Sequence, residues 1–329
     1  MENAVKSRLQ SVKLGEPQTY KNIAIVPLIA PADGTFQYYT LGEALAAGDL
    51  VITEITANGS VPELLVVNRG NKPVLLIDGE ELTGAKQNRV LNTSILLKEA
   101  SETKIPVSCT EQGRWSHTSK AFSESGNVTA YKSRSKKARS VHSSLESCGA
   151  HMSDQGEVWE GIAELQARAC APSPTSAMND VFKAREDDLR ECDEIFISVP
   201  NQVGLLAFIG SAPAGVDMIS LTGTYTKIHQ KLVRSYALEG LLESKQQTTA
   251  PNGIATHARQ FLDEITAAEE RHFPSIGHAT EHQFKGKVLA GAALVHENEV
   301  IHAVFFRLDE AQHPVRMPSY RHRQRHFDE

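Results

Sequence analysis

The chain has 329 residues, a formal net charge of −6 at pH 7 and 40% hydrophobic residues, which is ordinary for a globular protein. The mild acidity argues against general nucleic-acid binding, and no apolar run is long enough to predict a membrane span or a secretory leader. The cysteines Cys109, Cys148, Cys170 and Cys192 form no CxxC pair, so we expect reduced thiols and a cytoplasmic location.

Residues 1–115 are predicted to form a β-rich domain. Short apolar runs alternate with tight turns in "NIAIVPLI", "LVITEI", "ELLVVNRGNKPVLLI", "RVLNTSILL" and "KIPVSC". In the third of these, Asn68–Asn71 separates two apolar runs, a pattern that is typical of a hairpin. Such a series favours a mostly antiparallel sheet or sandwich.

The rest of the chain is predicted to contain a flexible segment and a second domain. Residues 116–150 are rich in Ser, Lys and Arg and have few large apolar groups, so we expect a basic, flexible segment that buries little surface. Residues 151–329 alternate helical and strand patterns, from "SDQGEVWEGIAELQARAC" to a closing hairpin with its turn at His296–Glu299. The predicted fold class is α+β, with the β-rich N-terminal part packed on an α+β C-terminal part.

The stretch "VLLIDGEELTGAKQNRVLNT", residues 74–93, places many polar groups between two apolar strands. Its acid pair, Glu80 and Glu81, suits general acid–base chemistry, which makes both residues candidate catalytic groups. Its amides and cations suit a ligand that carries phosphate or carboxylate, so the candidate ligand-binding residues here are Lys86, Asn88, Arg89 and Asn92. The alternative is a polar hairpin loop on the surface.

A second strand, in "VSCTEQGRWSH", also ends in polar residues. Glu111 is the third candidate catalytic carboxylate. Arg114 and Trp115 would suit a phosphate and a stacked base, although a lone Trp is more often part of a core. Cys109 lies within the apolar run, where a thiol is usually inert. We expect the two polar stretches to lie side by side at the ends of neighbouring strands.

Motifs for metals, cofactors and common nucleophiles are missing from the sequence. It contains no HExxH, HxH, GxGxxG, GxxxxGK[ST] or GxSxG pattern, so the predicted metal-ligating set is empty and no cofactor is indicated. Surface or capping roles are the default for His278, His282, His296 and His302.

The motifs "DGEELTGAKQNRVLNTSILL" and "IPVSCTEQGRW", together with "SDQGEVW", "VGLLAFIG" and "VIHAVFF", resemble the bacterial ARPP family. That family is named for its gene association with ADP-ribosylglycohydrolases and rhodanese-phosphatase proteins. The resemblance spans roughly residues 20–310 and implies a link to NAD or ADP-ribose metabolism by association. It carries over no catalytic residue.

Two hypotheses of function remain open at this point. The first is a small-molecule-binding protein, with or without catalysis, that takes an ADP-ribose-type or other nucleotide ligand. The alternative is a non-catalytic regulatory or assembly module that contacts a partner protein or a second copy of itself. A nucleic-acid role of the basic segment is the least favoured reading.

Overall fold

The computed structural model describes residues 4–56, 62–243 and 253–308. The helices in these ranges are α1 (Ala4–Ser11), α2 (Leu41–Ala46), α3 (Tyr131–Cys148), α4 (Gln155–Ala169), α5 (Met178–Ala184), α6 (Glu186–Ile195), α7 (Thr222–Glu243) and α8 (Ile254–Thr266). The strands are β1 (Lys13–Leu14), β2 (Gln18–Tyr20), β3 (Ile23–Ile29), β4 (Tyr39–Thr40), β5 (Leu50–Glu54), β6 (Glu63–Asn68), β7 (Val74–Leu76), β8 (Glu80–Gly84), β9 (Arg89–Leu91), β10 (Ile95–Leu97), β11 (Ser101–Cys109), β12 (Phe122–Val128), β13 (Gln202–Ile209), β14 (Ala212–Ile219), β15 (Glu269–Pro274), β16 (Thr280–Lys285), β17 (Leu289–His296) and β18 (Glu299–Arg307).

The largest sheet has nine strands in the order β1-β3-β13-β14-β18-β17-β16-β15, with β2 also paired to β3. Helices cover both faces, since one core cluster contains side chains of α7 and another contains side chains of α1 and α8. This explains why β13 is buried along its whole length and reads as a continuous apolar run. Because β1–β3 belong to this sheet, strands from both ends of the chain share it, and the predicted division at residues 115 and 150 stays a prediction.

The N-terminal part is β-rich, as predicted, and the fold is α+β. A six-stranded antiparallel sheet runs β12-β8-β9-β11-β6-β5, beside a three-stranded sheet, β10-β7-β4, in which β4 and β7 are parallel. The edge strands β5 and β12 of the six-stranded sheet contact each other, so this sheet curls around its own core. We call it the curled sheet. Alternate residues of β6, including Leu64 and Val66, fill its interior, as the period of two requires.

The expectation that residues 116–150 bury little surface is wrong. The segment forms β12 and the 18-residue helix α3. On α3, Arg134 is 0% exposed and Lys137 is 3% exposed. Both cations are buried because acidic side chains from distant parts of the chain meet them, which is the condition under which a protein interior accepts a charge. Composition alone does not reveal those partners.

Two smaller features complete the fold. The chain after α4 forms two helices, α5 and α6, which are separated at Arg185. The closing hairpin is confirmed, with β17 ending at His296 and β18 beginning at Glu299. Among the helices of the described ranges, none combines the length and the apolar character that a membrane crossing needs.

Candidate functional site

The two polar stretches lie side by side, as predicted. Arg114, which follows β11, donates from Nη1 to the carbonyl of Ala85 at 2.8 Å. Its Nη2 donates to Asn88 Oδ1 at 3.2 Å and to Glu111 Oε2 at 2.6 Å. Residues from the β8–β9 turn and from the end of β11 therefore form one cluster.

Within this cluster Arg114 holds the β8–β9 turn against the end of β11. Besides the contacts above, its guanidinium donates to the carbonyls of Gly84 and Ser116. Glu111 also accepts from Thr175 Oγ1 at 2.9 Å. Burial would raise the pKa of Glu111, but the hydrogen bonds from Arg114 and Thr175 outweigh it, and the pKa is lowered. Both side chains have their polar atoms directed at protein groups, which favours a structural role for them.

The turn Asp78–Glu81 holds three acids, and the first two meet cations of the helical layer. Asp78 pairs with Lys137 and lies 3.3 Å from Arg134 Nε, both on α3. Glu80 pairs with Lys231 of α7 and accepts from the amide of Ile77 at 2.8 Å. These two acids therefore tie the curled sheet to α3 and α7.

Arg134 extends the first of these links to the nine-stranded sheet. Its Nη2 lies 2.7 Å from Asp217 Oδ1 on β14. Tyr236 donates to the other oxygen of Asp217 at 2.6 Å. Burial would raise the pKa of Asp217, but Arg134 and His302 hold it below its ordinary value. The guanidinium thus bridges the two large sheets through Asp78 and Asp217.

Glu81 differs from its neighbours because no cation pairs with it in the described ranges. Its Oε1 accepts from Thr110 Oγ1 at 3.0 Å, and its Oε2 is buried without a hydrogen-bond partner among these residues. Burial raises the pKa of Glu81 to about 7. A carboxyl group near neutrality is a candidate acid or base, since functional groups often have displaced pKa values. Its side chain is fully buried, so a reactant has no direct path to it.

A different pair of charges lies inside the curled sheet. Glu54 of β5 and Arg89 of β9 share strand faces with Ile52 and Leu91, which belong to the interior core. Their side chains are 6% and 0% exposed, and Arg89 Nη2 is 3.6 Å from Glu54 Oε1, beyond hydrogen-bond distance. Both oxygens of Glu54 and the Nε and Nη2 atoms of Arg89 have no hydrogen-bond partner in the part of the chain that the structure describes.

The remaining donor of Arg89 is engaged. Its Nη1 donates to Gln87 Oε1 at 3.1 Å and to Cys109 Sγ at 2.9 Å. Burial raises the pKa of the Cys109 thiol to about 11, which disfavours the thiolate at neutral pH. Arg89 is therefore held from one side, while the side toward Glu54 keeps unused donors.

A cleft of about 690 Å³ lies between residues 53–56 and residues 117–120, and Glu54 is part of its lining. Trp115, two residues before the cleft wall begins at His117, is 51% exposed. Lys86 Nζ lies 5.3 Å and Arg89 Cζ lies 6.0 Å from the centre of the indole ring. Lys120, on the cleft wall, is exposed. Glu54 and Lys120 thus line the cleft, and the group of Arg89, Lys86 and Trp115 adjoins it through the Glu54–Arg89 pair. We call this arrangement the Arg89–Glu54 cleft.

Asn92 lies elsewhere. Its Nδ2 donates to the carbonyl of His151 at 3.1 Å, and its Oδ1 accepts from Ser108 at 2.8 Å, so it joins β11 to the loop before α4. Glu54 and Lys120 were not predicted. Glu54 sits in a run that alternates like an ordinary half-buried strand, and only the curling of the sheet places its carboxylate inside. The roles of all nine predicted site residues stay predictions.

Comparison with known proteins gives a family and no closer relative. Neither a search of curated proteins nor a search of solved structures finds a match. A family model described as "ARG and Rhodanese-Phosphatase-superfamily-associated Protein domain", ARPP-1, matches residues 11–306. This range contains both polar stretches, the Arg89–Glu54 cleft and every strand except the last residue of β18. The chain therefore belongs to the ARPP-1 family.

Proposed function

We propose that the protein binds an ADP-ribose-type, phosphorylated small ligand at the Arg89–Glu54 cleft. The observation that carries the proposal is the pair of buried, opposite charges whose facing atoms have no hydrogen-bond partner in the described ranges. Buried polar atoms without partners are rare in native proteins, and a bound group is one explanation for them. The family description associates these proteins with other proteins, and supplies no ligand.

The chemistry of the cleft matches the parts of such a ligand. A carboxylate accepts hydrogen bonds from vicinal sugar hydroxyls, and both oxygens of Glu54 can serve as acceptors. Arg89 has two unused donors for a phosphate oxygen, but it is 0% exposed, so the proposal requires the cleft to open further when the ligand binds. Lys120 adds an exposed cation at the cleft wall. Trp115 presents an exposed ring on which a base can stack. Lys86 lies over that ring. Arg114 donates a hydrogen bond to Asn88, and this contact fixes the loop that carries Lys86.

No catalytic step is part of this proposal. Glu80 pairs with Lys231, and Glu111 pairs with Arg114. Glu81 is hydrogen-bonded to Thr110 and does not line the cleft. Binding is therefore the activity to test first.

The test combines a melting curve with the fluorescence of the indole ring. ADP-ribose, NAD, AMP, ribose 5-phosphate and inorganic phosphate are titrated against the full chain. A ligand that binds only the folded state adds about 2.7 kcal/mol to the free energy of unfolding at 100 times its Kd. We expect ADP-ribose to raise the melting temperature most and phosphate least, since phosphate uses only the cations.

Three variants locate the binding. Glu54→Gln and Lys120→Ala should each weaken ADP-ribose binding at least tenfold, the first through the sugar and the second through the phosphate. Lys98→Ala, an exposed lysine beyond β10, is the matched control and should bind like the parent. If no compound in the panel shifts the melting curve, or if Glu54→Gln binds normally, the proposal is wrong.

A partner-binding role is the second candidate, and the family description favours it because it names an associated protein. Under that role no compound of the ligand panel shifts the melting temperature. Light scattering instead shows a molar mass that rises with protein concentration, or on addition of a protein from the same gene neighbourhood. The two readings therefore give opposite results in the same pair of measurements.

A further inference from the structure

We propose that the hairpin of β15 and β16 binds one Zn²⁺ ion through Glu270, His272 and His282. This site lies at the edge of the nine-stranded sheet and is independent of the Arg89–Glu54 cleft. Its three residues are the one group of three or more His, Cys, Asp or Glu side chains within the described ranges whose ligand atoms all lie within 4.8 Å of one another.

The register of the hairpin creates the group. β15 and β16 are antiparallel, and His272 lies directly opposite His282. Glu270 precedes His272 by two residues, so both side chains project from the same face of β15. The two imidazole rings are 4.0 Å apart between centroids. Two neighbouring strands therefore hold three ligating side chains on one face.

The distances suit a tetrahedral ion. Glu270 Oε1 lies 2.6 Å from His282 Nδ1 and 3.1 Å from His272 Nε2. Metal–ligand distances of 2.0–2.2 Å place the ligand atoms of a tetrahedral zinc site about 3.3 Å apart. A small outward movement of Glu270, whose side chain is 14% exposed, reaches that spacing.

The ligand set indicates Zn²⁺ and an open position. Two imidazoles and one carboxylate are the ligands of zinc sites that keep a fourth place for water or substrate. His282 forms the base of the group, since its side chain is 11% exposed and its strand neighbour Phe284 is in a core cluster. His272, at 60% exposure, forms the rim, so the fourth position faces solvent.

Surrounding charges support a cation at this place. Arg271, between Glu270 and His272, projects to the opposite face of β15 and pairs there with Glu146 of α3. Lys285 also pairs with Glu146. The nearest basic side chains of the hairpin are thus directed away from the three ligands. The site would fasten β15, the edge strand, to β16 through side chains in addition to the backbone ladder.

The sequence motifs predict no metal site, because the three ligands follow no helical or CxxC-type spacing. His282 lies ten positions after His272, and only the pairing register brings the two side chains together. A simple hydrogen-bonded Glu–His–His cluster is the competing account. It predicts no specific affinity for zinc.

The experiment uses the full chain, freed of metal by chelator and titrated with Zn²⁺ against a chromophoric competitor. We expect one ion per chain, and we expect Co²⁺ to give the visible spectrum of a tetrahedral site. His272→Ala removes an exposed ligand without disturbing the core and should weaken Zn²⁺ binding at least 100-fold and abolish the Co²⁺ spectrum. Glu270→Gln should weaken binding at least tenfold.

His257→Ala is the matched control, because this histidine is exposed on α8 and is outside the three-residue group. It should bind Zn²⁺ like the parent. If the parent binds no Zn²⁺, or if His272→Ala keeps the affinity and the stoichiometry of the parent, the proposal is overturned. Melting curves without metal should be the same for the parent and His272→Ala, which shows that the loss concerns the ion and not the fold.

Discussion

The Glu81→Gln substitution tests the reading of this acid as a buried carboxyl group without a cation. Burial raises the pKa of Glu81 from its ordinary value of 4.5 to about 7. Since the folded state then binds the proton more tightly than the unfolded state, this group stabilises the fold below pH 4.5. That contribution declines as the pH rises through 7. Gln cannot ionise and is therefore free of this pH dependence.

The size of the effect follows from the two pKa values. Between pH 5 and pH 8 the free energy of unfolding of the parent should fall by about 2–3 kcal/mol relative to that of Glu81→Gln. The stability of the variant relative to that of the parent should thus increase as the pH rises. This sign is opposite to that of an acid paired with a cation, whose removal costs most where the acid is ionised.

Urea unfolding, followed by circular dichroism at several values between pH 5 and pH 8, measures the difference. The difference in unfolding free energy between the parent and the variant removes the contribution of histidine titration, because both proteins contain the same histidines. Burial lowers the pKa of two of them, His229 and His282. Glu63→Gln, at an exposed carboxyl group of the same sheet, is the control and should show a constant difference. A Glu81→Gln curve that runs parallel to the parent within roughly 0.5 kcal/mol, or that loses stability at pH 8, would refute the reasoning.

Three further predictions concern the charges and caps of the fold. Asp78→Asn leaves Lys137 and Arg134 short of a buried counter-charge and should cost about 3–5 kcal/mol, seen as a large fall in melting temperature or as insoluble protein; an unchanged melting temperature would contradict the buried link. Thr40→Ala removes the capping box of α2 and should cost about 1 kcal/mol in urea unfolding, whereas no loss would show that the cap is redundant. Trypsin should cut the native chain at exposed Lys120 before it cuts after Arg134 or Lys137, and mass spectrometry of early fragments that begin inside α3 would show the opposite.

Local patterns predict much of this fold, because local physics determines those parts. The hairpin that ends at His296 and resumes at Glu299 combines two apolar runs with a polar turn, and a period of two leaves few alternatives. The adjacency of the two polar stretches follows equally well from strand ends in one sheet. The curl of that sheet is not local, and it decides that Glu54 faces inward.

The charged residues of α3 show what local patterns cannot supply. A Ser- and Lys-rich segment reads as solvated unless its counter-charges are known. Arg134 meets Asp217, which is 83 residues further along the chain. Lys137 meets Asp78, 59 residues before it. The free energy that keeps such a helix ordered comes from contacts that a window of 15 residues does not contain.

The polar stretch after Val74 combines architecture with a candidate for function, and the contacts separate the two. Asp78 and Glu80 face cations of α3 and α7, so each charge is neutralised inside the protein and each is needed to join the helical layer to the curled sheet. A side chain whose polar atoms are committed in this way has little left for a ligand, and its loss would be seen first in stability. Arg89 is different, because two of its nitrogens and both oxygens of Glu54 have no hydrogen-bond partner in the described ranges, although the two side chains form an ion pair at 3.6 Å. A ligand is therefore expected where polar atoms have no hydrogen-bond partner within the protein. That place is the cleft beside Glu54, and not the acid pair Glu80 and Glu81 that is prominent in the sequence.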